Sequence, residues 1–160
     1  MRIDSVRPTA GSGVGLRIAV ITASFNAPVT EGLRAGALEY LEEVATDEVV
    51  CVEAPGAFEL PLLAATALGS GFDGVVALGA VIEGETDHYE HVAHRCSEGL
   101  MRVSLDTGAP VGFGVLVAKS VEHAVARSAP GPDNKGRECA IAVVNALAGQ
   151  RSLDRKTAPR

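Results

Sequence analysis

The stretch Gly74-Val75-Val76-Ala77-Leu78-Gly79-Ala80-Val81-Ile82 decides the fold. It carries no polar break, and its apolar residues do not alternate with polar ones. A strand that wets one face alternates; a run without alternation is buried on both faces. Similar runs stand at Arg17–Thr22 (RIAVIT), Glu48–Val52 and Val111–Val117. Helical spacing fills the gaps: Leu33, Ala37, Leu41 and Val44; Leu60 to Leu68; Val92, Cys96, Leu100 and Val103; Val121 to Ala126; Ala140 to Leu147. The last two are broken by Pro130-Gly131-Pro132. Strands alternating with helices predict a doubly wound α/β domain: four parallel strands covered on both faces, with right-handed crossovers.

The chain has 160 residues, enough for one domain with a real core. Residues 1–16 are rich in glycine near their end and are expected to form a flexible arm. Residues 17–149 form the domain, and residues 150–160 a frayed polar tail. Hydrophobic residues make up 47 %, an excess that points to apolar faces covered by other subunits. A formal charge of −6 argues against a nucleic-acid or anionic-membrane surface. Cys51, Cys96 and Cys139 are widely spaced among apolar residues and are expected to be reduced core thiols. With no secretory pattern at the start and no apolar run near the roughly 20 residues of a membrane span, a cytoplasmic protein is expected.

Ligands of such sheets bind beyond the carboxyl ends of the strands. Four segments are therefore candidates. After the first strand, Phe25 lies in a turn: either a loop aromatic capping the core, or a plate for a flat heterocycle. After the second come Gly56, Ala57, Phe58 and Glu59. A carboxylate there suits the helix dipole, and equally accepts hydrogen bonds from a polyol. After the third, Ala80, Val81 and Ile82 run into Glu83-Gly84-Glu85-Thr86-Asp87-His88. Backbone N–H groups at a helix start near Thr86 or Asp87 make an anion site, although both residues are also ordinary caps. His88 follows in the first turn, where an imidazole moves protons near pH 7. After the fourth, Phe113 stands between Gly112 and Gly114, either presented at a close backbone approach or turned into the core. Arg127 and Lys135 flank the Pro-Gly loop, as solvated charges or as partners for an anion. His88, His91 and His94 are close in sequence, but nothing completes a coordination shell and no metal is expected. His91, His94 and His123 are expected on the surface.

In register, Ser24-Phe25-Asn26, Pro55 to Pro61, Gly79 to Glu90, Ser97 to Leu100, Pro110 to Leu116, Arg127 and Asn134-Lys135-Gly136 resemble the lumazine synthase family, from about Arg17 to Leu147. The resemblance implies a three-layer α/β/α sandwich on a flavodoxin-like sheet. It also implies a cofactor-free, metal-free transferase acting on small molecules. That enzyme condenses 5-amino-6-(D-ribitylamino)uracil with 3,4-dihydroxy-2-butanone 4-phosphate: a Schiff base forms, phosphate leaves, and the ring closes to 6,7-dimethyl-8-ribityllumazine. By position, Phe25 stacks on the pyrimidine, and Ala57, Phe58 and Glu59 hold its ribityl chain and ring edge. Ala80, Val81 and Ile82 line the pocket. Gly84, Glu85 and Thr86 receive the phosphate with Arg127, and His88 shuttles protons. Phe113 comes from a neighbouring subunit, with Lys135 close by and Glu138 orienting it. The assembly implied is a homopentamer, in some members built into a shell of sixty. The short loop from Arg127 to Gly136 leans toward the shell, while Pro130-Gly131-Pro132-Asp133 departs from the usual shell loop. Glu83 stands where the family usually carries a basic residue, and Val117-Ala118 replaces a hydroxyl-bearing pair.

Four other functions were weighed. A paralogue that only binds a lumazine or flavin is disfavoured by the presence of both His88 and Arg127, while the departures at Glu83 and Val117-Ala118 leave a paralogue with another carbonyl substrate as the alternative. A flavodoxin-type electron carrier lacks its phosphate loop after the first strand. A phosphoacceptor receiver lacks the acidic residues at its strand ends. A purely structural shell protein is not separable by size alone.

Overall fold

In the computed structural model, which describes residues 9–154, the chain runs β1 (Arg17–Ala23), α1 (Ala27–Glu43), β2 (Glu48–Ala54), a 3-10 turn (Ala57–Glu59), α2 (Leu60–Gly69), β3 (Gly74–Ile82), α3 (His88–Thr107), β4 (Val111–Ala118), α4 (Val121–Ser128) and α5 (Lys135–Asp154). The four strands are all parallel, in the order β2-β1-β3-β4. Residues Gly74 to Val81 of β3 are buried without interruption. Side chains from β1 and β3 therefore feed two cores. Ile18, Val20, Val76 and Leu78 pack with α1, α4 and α5, while Ala19, Ile21, Val75 and Ala77 pack with α2 and α3. The α/β/α sandwich is as the apolar runs predict.

The differences lie at the edges. Cys51 is exposed, against the expectation of three core thiols, while Cys96 and Cys139 are buried. β2 is an outer strand, and Val50 and Val52 on its other face are also partly open. Burial raises the Cys96 thiol to about 11 and the Cys139 thiol to about 12, so both stay protonated at neutral pH. The expected arm is not free along its described length: Leu16 is buried, and the Gly13 N–H donates to the Val44 carbonyl at 2.8 Å. Its first eight residues lie outside the described part. Of the tail expected at 150–160, the first residues continue α5 to Asp154 and the rest lies outside the described part. α5 also starts well before Ala140, because the Asn134 side chain accepts from the N–H groups of Gly136 and Arg137 and caps it.

Gly112 and Gly114 do permit a close approach, of α5 at Gly112 and chiefly of the β3 side chain Leu78 at Gly114. A Cβ on Gly112 would lie 2.5 Å from the Cys139 sulfur, and one on Gly114 2.5 Å from Leu78. The tightest such contact is at Gly136, where a Cβ would lie 1.8 Å from the Leu33 carbonyl oxygen of α1. Gly136→Ala is expected to destabilise by about 3 kcal/mol, the upper part of the overpacking range. Thermal unfolding should show a Tm about 10 °C lower. A thiol reagent applied to native protein should modify Cys51 alone, and all three cysteines after denaturation.

Candidate active site

In the order β2-β1-β3-β4 the chain leaves β1 toward one edge and β3 toward the other, so the loops after β1 and β3 diverge. That divergence opens a crevice. A cavity of about 790 Å3 lies there, lined by residues that include Phe25, Asn26, Gly56, Ala57, Phe58, Glu59, Ala80, Val81, Ile82, Glu83 and His88. Its walls are largely apolar, and its size suits a small ligand.

Each wall has a local cause. Asn26 sits at φ 62, a left-handed conformation that Asn tolerates better than most residues, and turns the chain sharply into α1. Its amide nitrogen donates to the Ala80 carbonyl at 2.9 Å, tying the β1 loop to β3 across the crevice. Phe25, one residue before, is held above the cavity with 73 % of its surface exposed. Ser24 closes the other side: its N–H donates to the Ala54 carbonyl and its hydroxyl to the Pro55 carbonyl. The turn Ala57–Glu59 then buries Ala57 and leaves Phe58 60 % exposed. Two aromatic faces thus flank an apolar floor made by Ala80 and Val81.

The third segment closes the cavity from above. The Glu83 N–H donates to the Ala118 carbonyl at 2.9 Å, so β3 stays paired with β4 to its end. α3 begins at His88, and the N-cap Asp87 makes no side-chain capping bond. His88, Tyr89, His91, Val92 and Arg95 of α3 line the cavity, as does Val121 of α4. His91 is therefore part of the site, not merely the helix surface expected from sequence. Tyr89 is pushed up from the usual phenol range, chiefly by desolvation and then by the carboxylates of Glu83, Glu90 and Asp87, so it remains a neutral hydroxyl. Arg95 is paired with Glu98 at 2.6 Å. Among the described residues no group of three or more His, Cys, Asp or Glu side chains could hold a metal ion.

Of the residues singled out from sequence, Phe25, Ala57, Phe58, Glu59, Ala80, Val81, Ile82 and His88 are brought together at one cavity. Gly84, Glu85 and Thr86 stand just beyond its lining, in the turn before α3. Phe113, Arg127 and Lys135 do not line it. Phe113 is 49 % exposed on the outer strand β4, Arg127 is exposed in the last turn of α4, and Lys135 pairs with Glu138 on α5. Sequence reasoning missed Tyr89, Val92, Arg95 and Val121, which read as ordinary helix positions. Asn26 was visible only as part of a motif.

A parallel α/β sandwich with an aromatic-walled cavity at its strand switch point defines a small-molecule enzyme of flavodoxin-like architecture. A family model described as 6,7-dimethyl-8-ribityllumazine synthase matches residues 15–151. Two curated relatives carry that same name. The protein of Streptomyces avermitilis is 44 % identical over 140 residues, covering 86 % of this chain and 87 % of its own. The protein of Streptomyces coelicolor is 42 % identical over the same length and shares. The chain belongs to the 6,7-dimethyl-8-ribityllumazine synthase family, and it is a transferase of riboflavin biosynthesis.

The Asn26 contact gives a direct test of how the cavity is built. Asn26→Ala removes both the bond to Ala80 and the residue that tolerates the left-handed turn. Affinity for a flat heterocyclic ligand, read by fluorescence titration, should fall by about tenfold, the effect of about 1.4 kcal/mol. The Tm should drop only modestly, because the turn is partly exposed.

Proposed function

We propose that the chain condenses 5-amino-6-(D-ribitylamino)uracil with 3,4-dihydroxy-2-butanone 4-phosphate at the cavity between β1 and β3, in sites shared between neighbouring subunits of a cytoplasmic homo-oligomer. The observation that carries it is the aromatic-walled cavity on a family member's fold, with His88 on its rim. Phe25 stacks on the pyrimidine. The turn Ala57-Phe58-Glu59 takes the ribityl chain, with the Glu59 carboxylate accepting from its hydroxyls. Backbone groups of Ala80, Val81 and Ile82 meet the ring edge.

The four-carbon substrate enters with its phosphate at Gly84, Glu85 and Thr86, where backbone N–H groups and the positive end of α3 face it. The amine attacks the carbonyl, water leaves, and a Schiff base forms. Phosphate is then eliminated, and the ribitylamino nitrogen attacks the remaining carbonyl and closes the ring with loss of a second water. These steps move several protons, and His88 is the imidazole at hand.

The shared site is supported by what lies outside the cavity. Phe113, Arg127 and Lys135 have no part in its lining, yet Phe113, Val117, Val121 and Val125 expose apolar surface on β4 and α4. Leu62, Met101 and Leu105 do so on α2 and α3. Apolar surface on this scale marks a face that another subunit covers. In a ring of five, one subunit supplies the cavity and its neighbour supplies Phe113, Arg127 and Lys135. Assembly of such rings into a sixty-subunit shell is the larger form of the same proposal. No helix among the described residues is long and apolar enough to cross a membrane.

A turnover assay following lumazine absorbance tests the roles. His88→Ala should lower kcat by about 10²-fold, as loss of a proton-transfer group does. Arg127→Ala should raise the KM for the butanone phosphate about tenfold or more, the effect of about 1.5–3 kcal/mol from a charged hydrogen bond. The pyrimidine KM should stay nearly unchanged. Equal losses for both substrates would overturn the Arg127 assignment. Co-expression of the two variants should restore about a quarter of the wild-type activity, because sites between subunits pair an intact His88 with an intact Arg127 at that frequency. No recovery in mixed oligomers would place both residues in one subunit's site.

A further inference from the structure

Asn134 is 2 % exposed and lies in sequence between the exposed Arg127 and the half-buried Lys135. Its Oδ1 accepts from the backbone N–H groups of Gly136 at 2.9 Å and Arg137 at 3.1 Å. That leaves its amide nitrogen facing three carbonyls: Ser128 at 2.8 Å, Ala129 at 3.0 Å and Gly32 at 3.0 Å. One planar side-chain amide thereby joins the end of α4, the start of α5 and the middle of α1. Its orientation is unambiguous, since the oxygen meets only donors and the nitrogen only acceptors.

Three glycines clear the space around it. A Cβ on Gly36 would lie 2.2 Å from the Asn134 oxygen, one on Gly32 2.5 Å from the Ser128 carbonyl, and one on Gly136 1.8 Å from the Leu33 carbonyl. Arg127 directly precedes the Ser128 carbonyl that the amide holds, and Lys135 directly follows Asn134. The intervening loop contains Pro130, Gly131 at φ 127 and Pro132, and a backbone bond from the Asn134 N–H to the Gly131 carbonyl closes it.

We propose that Asn134 is a positioning residue, the one amide that sets the spacing of Arg127 and Lys135 and so aligns the basic half-site a subunit donates to its neighbour. This rests on the role given to Arg127 above. Asn134 does not touch substrate. It acts on the backbone from which both cations spring. An aspartate would satisfy the two N–H groups but set a carboxylate oxygen against three carbonyl oxygens, so only an amide serves both sides. Arg137 independently anchors the start of α5 to α1, through Glu43 at 2.6 Å and the Tyr40 ring at 5.5 Å. The fold therefore has a second hold on this corner.

Asn134→Ser keeps a capping oxygen and one donor, and Asn134→Asp keeps the shape and the cap. Both are compared with wild type, Arg127→Ala and the Asn134→Ser/Arg127→Ala double variant, by steady-state kinetics on both substrates well below each Tm. Asn134→Ser should raise the KM for the butanone phosphate about tenfold, comparable to losing one charged contact, and leave the pyrimidine KM within about twofold. Asn134→Asp should act in the same direction and more strongly. The double variant should lose clearly less than the product of the two single losses, with any remaining loss through Lys135, the non-additivity expected when one residue acts through another. A lowered Tm with unchanged KM values, equal losses for both substrates, or additive losses in the double variant would make Asn134 a structural cap and overturn the proposal. If Arg127→Ala raises the phosphate KM and Asn134→Ser does not, the proposal falls alone. If Arg127→Ala leaves it unchanged, the Arg127 assignment falls and this proposal with it.

Discussion

Burial of β3 on both faces is the constraint from which the rest of the molecule follows. Eight consecutive residues from Gly74 to Val81 are inaccessible, so helices must cover both sides of the sheet. With β1 and β3 side by side at its centre, the connections after them leave toward opposite edges. The crevice between those connections is a consequence of topology, before any catalytic residue is placed. The apolar floor of the cavity is simply the end of the same strand: Ala80 and Val81 belong at once to the core and to the site. Ligand binding here borrows the rigidity of the most buried segment in the chain.

What was legible in the sequence follows from the same constraint. The central strands β1 and β3 are buried on both faces and read as apolar runs; the outer strands β2 and β4 show the same β-rich runs although β2 is largely open. The strand-end residues Phe25, Phe58 and Glu59 could be read because topology says where ligands sit. Surface status was harder, because it depends on how far the helices extend over an outer strand. Cys51 lies among valines in sequence yet is open to solvent, since β2 is an edge. The glycines around Phe113 signalled a close approach correctly, but the approaching groups are α5 and the β3 side chain Leu78. Val92 and Arg95 were not read as site residues because a helix face that lines a cavity carries the same spacing as one that lines a core; His91 is exposed as expected and also lines the cavity. Lys135 and Arg127 were named as a pair from sequence, while the buried amide that holds them showed only as one letter of a motif.

The cavity and the outlying cations are joined by two helices. α1 is capped by Asn26 on the cavity and passes Gly32 and Gly36 at the Asn134 corner. α4 starts with Val121 on the cavity and ends at Ser128, whose carbonyl Asn134 holds. The N-terminal end of α1 is fixed to β3 through Asn26, and its middle is fixed to α4 and α5 through Asn134. On the reading of a shared site, α1 is a rigid spacer between the half-site a subunit keeps and the half-site it gives away. That accounts for the concentration of glycines where α1, α4 and α5 meet: a spacer transmits position only if the contacts at both ends are tight.

Charge gives the division its chemical sense. The cavity rim carries Glu59 and Glu83, with Glu85, Asp87 and Glu90 beside the start of α3. Arg95 is the lone Lys or Arg in the cavity lining, and Glu98 already partners it. A phosphate approaching the isolated chain meets helix N–H groups but also several carboxylates of its own sign, whose repulsion works against the helix dipole. On the proposed reading the balance turns only when a neighbour brings Arg127 and Lys135 to the rim. On that reading, affinity for the phosphate-bearing substrate depends on assembly, while stacking of the heterocycle on Phe25 does not.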